Sequence, residues 1–278
     1  MRIDSHQHFW RYSPEEYPWI GAGMERLTQD YLPTDLAAVA SGAGIGRTVA
    51  VQARQSLEET RWLLTLADEH PLVAGVVGWV DLRGPDVAAD LARFADHPRL
   101  VGVRHVVQDE PDPRFLVGEA FVRGVRELRR FGLTYDLLVY PQQLPAAVEL
   151  AGLLPEQPFV LDHIAKPAIK SGEIDAWRRD IKPLAARPNV CCKVSGLVTE
   201  AAWRRWQRSD FTPYLETVLE VFGPERLLFG SDWPVCLLSA EYHEVVGIVE
   251  DLFARLTPSE HAALWGGTAA RFYGLTEE

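Results

Sequence analysis

Short apolar, β-branched runs alternate with longer amphipathic segments along nearly the whole of this chain, and no other feature constrains the fold as tightly. The runs Arg2–His8, Arg47–Ala53, Val73–Leu82, Leu100–Val107, Thr134–Val139, Phe159–Ile164, Val190–Ser195 and Leu227–Asp232 read as strands. Between them Leu57–Glu69, Val87–Ala95, Phe115–Phe131, Leu144–Leu153, Tyr214–Phe222 and Tyr242–Leu256 carry apolar residues at three- and four-residue intervals, the spacing of one helix face. Repeated over eight strand runs, this alternation predicts an α/β fold, a (β/α)8 TIM barrel in a single domain over residues 1–278. A doubly wound sheet gives a similar alternation with fewer units. The 278 residues fit one barrel without division, and a hydrophobic content of 47% is enough for its core.

Several function classes are disfavoured at once. The longest apolar stretch, Pro71–Val80, is far short of the ~20 residues that span a bilayer. The opening Met1-Arg2-Ile3-Asp4-Ser5-His6 has no apolar core of a signal peptide. A cytoplasmic protein without a membrane partner is expected. The formal charge of −11 disfavours nucleic acid. Cys191 and Cys192 are adjacent and Cys236 stands apart, which reads as buried structural thiols in a reducing compartment. Gly42-Ala43-Gly44-Ile45-Gly46 precedes a strand instead of joining a strand to a helix, so no nucleotide cofactor is expected.

A barrel gathers the C-terminal ends of its strands at one mouth. Those ends carry His6 and His8, Gln52 and Arg54, Trp79 and Asp81, Arg104 and His105, Tyr140, His163 and Lys166, Lys193 and Ser195, then Asp232 and Trp233. On a strand His6 and His8 leave the same face while Gln7 points away. With Asp232, and His163 as a third imidazole, they form a nitrogen and oxygen donor set for one divalent metal ion, with Zn2+ the best match. Such an ion brings the pKa of water down towards ~7. Without a metal, Asp232 would act on water directly, and His6, His8, His163 and Arg104 would stabilise the oxyanion.

Four motifs, in this order and spacing, resemble the amidohydrolase superfamily: His6-Gln7-His8, Leu161-Asp162-His163-Ile164-Ala165-Lys166-Pro167, Lys193-Val194-Ser195-Gly196-Leu197 and Leu228-Phe229-Gly230-Ser231-Asp232-Trp233-Pro234. More narrowly, they look like its lactonase-rich branch. Gly78-Trp79-Val80-Asp81-Leu82, Val103-Arg104-His105 and Tyr135-Asp136-Leu137-Leu138-Val139-Tyr140 resemble members acting on sugar-acid lactones such as L-fuconolactone and L-rhamnonolactone. The likeness runs from Met1 to about Tyr273.

This resemblance implies a hydrolase that opens a small-molecule lactone to its aldonate. It implies metal ligands at His6, His8, His163 and Asp232, and proton transfer from water to Asp232. Strand four ends in Val103-Arg104-His105, without the lysine or glutamate that bridges two metals in many relatives, so at most one ion is expected. Strand five, ending near Tyr140, lacks the histidine of several relatives. Of Arg104 and His105, neighbours on one strand, only one should face the mouth. Trp10, Trp79 and Trp233 are candidates to stack on a sugar ring, and Gln52, His105 and Tyr140 to bond its hydroxyls. Asp162 is expected to face away from His163 and to hold a loop. Decarboxylation or hydration on the same scaffold, and a dicarboxylate lactone as substrate, stand as alternatives.

Overall fold

Strand pairing follows the order of the chain. In the computed structural model, which describes residues 1–276, eight strands form one sheet in the order 1 to 8, and every adjacent pair is parallel. They are β1 (Arg2–Gln7), β2 (Ile45–Val51), β3 (Val73–Gly78), β4 (Leu100–His105), β5 (Thr134–Leu137), β6 (Phe159–Leu161), β7 (Val190–Val194) and β8 (Leu227–Phe229). Beyond β8 the chain returns to β1 through a parallel bridge between Gln7 and Trp233, which closes the barrel. Sequential order with closure excludes the doubly wound alternative. Glu277 and Glu278, the last two residues of the expected domain, lie outside the described residues.

The first helices are α1 (Pro33–Ala40), α2 (Leu57–Glu69), α3 (Val87–Ala92), α4 (Glu119–Leu128), α5 (Leu144–Leu153) and α6 (Asp175–Ala185). A short α7 (Leu197–Glu200), α8 (Arg208–Phe222), α9 (Tyr242–Leu252), α10 (Pro258–Ala262) and α11 (Thr268–Tyr273) complete the shell. The local reasons are ordinary ones. Ser56 caps α2 by accepting the Glu59 N–H, while Leu63, Leu64, Leu66 and Ala67 turn inward. Proline opens α1, where its missing N–H costs nothing.

The core has two compartments. Between strands and helices lies the larger one, with Leu63, Val76, Phe121, Tyr135, Phe159, Trp177 and Phe211 among its buried members. The smaller one fills the floor of the barrel: Ile3, Val49, Val51, Val77, Val101, Val160 and Leu228, stoppered by Ala269 and Tyr273 of α11. Above that floor the inward-facing side chains become polar, and there the site begins.

Candidate active site

His6 and His8 reach the mouth through a bulge. From Asp4 opposite Thr48 to Gln7 opposite Ala50, β1 advances three residues while β2 advances two. The extra residue re-aims the side chains that follow. His6 Nε2 then lies 3.2 Å from His8 Nε2, and Asp232 Oδ1 lies 3.3 Å from the Nε2 of His8 and 3.8 Å from that of His6. His163 Nε2 is 3.9 Å from the same oxygen. All four side chains are buried.

Two of these residues depend on unusual backbone. His163, Ile164, Ala165 and Lys166 all have positive φ, between 48° and 63°, and Asp232 has φ 58°. Left-handed backbone costs a non-glycine residue roughly 1–2 kcal/mol, so the surroundings must enforce it. Packing shows how tightly they do: a Cβ on Gly196 would lie 2.4 Å from His163 Nδ1, and one on Gly230 would lie 2.7 Å from the His6 Cβ.

The hydrogen bonds fix the proton of one imidazole. His8 Nδ1 faces the Val51 carbonyl at 2.8 Å, so it donates, and Nε2 keeps its lone pair. His6 faces a donor at each ring nitrogen: Arg104 Nη1 lies 3.3 Å from Nε2 and Lys193 Nζ 3.1 Å from Nδ1, with Asp162 Oδ1 also 3.3 Å from Nδ1. The His8 Nε2 lone pair therefore lies 3.2 Å from His6 Nε2 and 3.3 Å from the Asp232 carboxylate. That repels unless a cation or proton lies between them. Donors held ~2.0–2.1 Å from a tetrahedral ion stand about 3.3 Å apart; the spacings of 3.2 and 3.3 Å match this, and the third, at 3.8 Å, is wider. The set fits one divalent metal. His6, Asp162 and His163 form a second group of that kind, but there Asp162 is already paired with Arg104 and Lys193.

Beneath the histidines lies a buried charged layer. Lys193 Nζ bonds Asp136 Oδ2 at 2.5 Å and lies 3.0 Å from Asp162 Oδ1 and 3.1 Å from His6 Nδ1. Arg104 Nη1 bonds Asp162 Oδ2 at 3.0 Å, and its Nη2 bonds the Gln52 side-chain oxygen at 2.8 Å. From below, Tyr273 Oη donates to Asp136 Oδ2 at 2.8 Å, tying α11 to this layer. Burial would raise the Asp162 carboxyl, but Lys193, His6 and Arg104 outweigh it and hold the group well below the usual carboxylate range. The same contest at Asp232, burial against His163, His8 and Lys166, ends with its carboxyl lowered. Burial pushes His6 and His163 well below the ordinary imidazole value. The mouth thus sets an ionised Asp232 carboxylate beside the neutral imidazoles of His6 and His163.

Several expectations need correction. Asp162 does not turn away: β6 ends at Leu161, so the strand rule of alternating neighbours lapses, and the left-handed turn brings His163 and Asp162 to the same cluster. Arg104 is the inward member of its pair. His105 is no free hydroxyl partner, because Nε2 faces Glu110 at 2.7 Å, Nδ1 accepts the Trp79 indole at 3.4 Å, and its ring stacks on Phe115. Trp10 is fully buried, its N–H on the Gln29 carbonyl and its ring among Tyr17, Trp19 and Tyr31. Trp233 is 3% exposed and packs on Phe9 and Tyr31. These two indoles hold the loop between β1 and α1 and offer no open face to a ligand. Trp79 keeps partial exposure. Tyr140 is half-buried at the rim, its ring 5.7 Å from the Lys166 ammonium. Gln52 is committed to Arg104 through its oxygen, while its Nε2 has no partner.

The reading of the sequence placed Lys193 among the strand ends at the mouth but missed Asp136 and Tyr273 as members of this assembly. Strand periodicity carried the signal for Lys193, which alternates with Cys192 and Val194 on β7. Nothing in the sequence pointed to Tyr273, which reaches the layer from the opposite pole.

A family model described as amidohydrolase matches residues 3–275. The chain belongs to the amidohydrolase family. Within it, an L-fucono-1,5-lactonase of Burkholderia multivorans is 48% identical, the alignment covering 100% of this chain and 97% of that protein. A second L-fucono-1,5-lactonase, from Burkholderia ambifaria, is 38% identical over 99% of this chain and 96% of its own. Among solved structures, an amidohydrolase of Burkholderia multivorans with bound zinc superposes with a TM-score of 0.94 at 47% identity, covering 99% of this chain and 100% of the other. In the present chain β4 ends in Arg104 and His105.

Proposed function

We propose that this protein hydrolyses a sugar-acid lactone, L-fucono-1,5-lactone or a close 6-deoxy relative, to the free aldonate. One observation carries the chemistry: a buried, ionised Asp232 oxygen stands within 3.3–3.9 Å of three imidazole nitrogens. The full-length likeness to two L-fucono-1,5-lactonases supports the substrate.

In this reading Asp232 takes the proton of the attacking water. Its neighbours keep it ionised, which leaves it ready to act as a base at neutral pH. His163, positioned by Ser195 Oγ at 2.9 Å from Nδ1, presents Nε2 towards the reacting centre. Arg104 holds positive charge against His6, where negative charge grows on the carbonyl oxygen. The proton taken by Asp232 then passes to the ring oxygen as the ester C–O bond breaks. His6, His8 and Asp232, with His163 beside them, are the residues that would hold a divalent ion, with zinc the best match to the donor set. When bound, such an ion polarises the lactone carbonyl and makes water more acidic.

Sugar hydroxyls find donors in the free Nε2 of Gln52, in the Tyr140 phenol and in the Lys166 ammonium. Trp79 offers the remaining partly open aromatic face. A dicarboxylate lactone would need two inward cations for its carboxylates, yet Arg104 and Lys193 already serve Gln52, Asp136 and Asp162. Lys166 lies 3.9 Å from the Glu200 carboxylate, which leaves it only partly available for that task, so the sugar lactone is favoured.

Steady-state hydrolysis of L-fucono-1,5-lactone, followed by acid release, tests the proposal. Turnover should fall at least ~100-fold in Asp232→Asn, whose amide has the same shape but cannot take the proton. An Asn variant within a few-fold of the parent, or a clear preference for a dicarboxylate lactone, would refute it.

A further inference from the structure

One fully buried carboxylate joins β1 to the turn after β8, and the chemistry above does not use it. Asp4 Oδ1 accepts two backbone N–H groups, from His6 at 3.1 Å and from Ser231 at 2.9 Å. Its Oδ2 accepts the Tyr242 hydroxyl at 3.0 Å, at the first residue of α9. A single oxygen atom therefore fastens a residue of the imidazole pair and the residue just before Asp232. Around it the Asp232 N–H bonds the His6 carbonyl at 2.8 Å, and the His8 N–H bonds the Trp233 carbonyl at 2.7 Å. The bonds run between the two segments whose side chains must meet.

Neither segment has regular backbone of its own to fix it there. β1 is bulged between Asp4 and Gln7, β8 has ended at Phe229, and Asp232 holds φ 58°. Backbone in a sparsely populated region persists only where its surroundings over-determine it. An apolar side chain in place of Asp4 would fill the volume but orphan both N–H groups, and the turn would relax towards an ordinary φ. We propose that Asp4 is a positioning residue for the reaction: its carboxylate sets the distance between His6 and Asp232. It touches no substrate and acts only through those two residues. The inference rests on the lactonase reading, and its test is built to separate the two.

The measurement pairs kinetics on L-fucono-1,5-lactone with crystal structures of the variants. In Asp4→Ala, kcat should drop about 100-fold, the effect of misplacing a reacting group by ~1 Å, while KM stays within about threefold. The crystal structure should show the Asp232 carboxylate displaced. Asp4→Asn should recover kcat to within about fivefold of the parent, because the amide oxygen keeps both N–H bonds and the NH2 donates to the Tyr242 oxygen. A general stabilising role would instead lower thermal stability and leave kcat of the folded fraction intact. If Asp4→Ala fails to fold, Tyr242→Phe decides: it removes one bond to Oδ2, and kcat should fall about fivefold at unchanged KM. Parent-like kcat in Asp4→Ala, or in Tyr242→Phe where the alanine variant is unfolded, overturns the assignment, and so does an unmoved Asp232 in the crystal. A parent enzyme inactive on every lactone would sink the lactonase reading instead, and the position of Asp232 in the variant crystals would still judge the clamp.

Discussion

The floor and the mouth of this barrel are built from the same eight strands and obey different rules. On the floor, Val49, Val51, Val77, Val101, Val160 and Leu228 pack side chain to side chain, with no polar group to satisfy beyond the Tyr273 hydroxyl. At the mouth, two residues on from Val160 and just past the end of β6, stands Asp162, and the neighbouring strands contribute Arg104, Asp136 and Lys193 to a layer in which every charge has a partner. The backbone diverges in the same sense. Left-handed residues occur at 163–166 and at Asp232, beyond the ends of β6 and β8. The lesson is a division of labour: regular apolar packing holds the cylinder together, and the geometry that costs stability is concentrated where reacting groups must be aimed, with Arg204, φ 59°, before α8 as the exception.

Three substitutions can break or sharpen that division. The largest effect should come from Lys193→Met, at the boundary between the two regions. Loss of the ammonium leaves Asp136 and Asp162 facing each other in a buried layer with Arg104, His6 and the Tyr273 hydroxyl against them. Removing one partner of a buried ion pair costs about 3–5 kcal/mol, so urea unfolding should reveal a loss of that size. A variant as stable as the parent would mean that the charged layer serves chemistry alone.

Leu228→Ala removes a fully buried floor residue from the strand that leads to Asp232. It should destabilise by about 2–5 kcal/mol and leave kcat of the folded protein within about twofold. A large fall in kcat at unchanged KM would show that floor packing aims the mouth, and the division would blur.

The smallest effect belongs to Glu59 on α2. Its carboxylate accepts the N–H groups of Ala53 and Arg54 at 2.9 Å each and the Tyr17 hydroxyl at 3.2 Å, strapping two mouth loops together. Burial raises its pKa from 4.5 to about 7. The sign follows by linkage: between those two values the unfolded chain has released the proton and the folded protein still holds it, so stability falls as pH rises through the window. Glu59→Gln keeps the shape and has no proton to lose. Its stability relative to the parent should therefore rise from about pH 4.5 to about pH 7 and then level off. A difference that stays constant with pH would show that Glu59 is ionised throughout.

The sequence made the cylinder legible because each wall element repeats its own period. Leu57–Glu69 and Leu144–Leu153 were delimited by pattern alone. Strand ends at the mouth were not. The runs Val73–Leu82, Phe159–Ile164 and Leu227–Asp232 overshoot β3, β6 and β8, which stop at Gly78, Leu161 and Phe229. Hydrophobic residues continue past each of these points, but their backbone has left the ladder, and alternation assigned beyond it put Asp162 on the wrong side. His6, His8, His163 and Asp232 could be gathered in advance because barrel topology brings strand ends together. Trp10 and Trp233 could not be placed, since an indole that packs a loop and one that meets a ligand have the same composition around them. Tyr273 joins the layer from a helix at the far pole, a contact that no local pattern encodes.

The bridge between Gln7 and Trp233 also orders events in time. Synthesis releases β1 first, and β1 has nothing to pair with on that side until more than two hundred residues have followed it. Chains are made from the N-terminus, so the imidazole pair exists as a pair long before the carboxylate that completes it. Bringing such distant segments together is a slow, non-local step. A partly made chain therefore carries half of the reactive cluster and an unpaired strand edge. Activity begins as a late event in the life of each molecule, after the last strand has emerged and closed against the first.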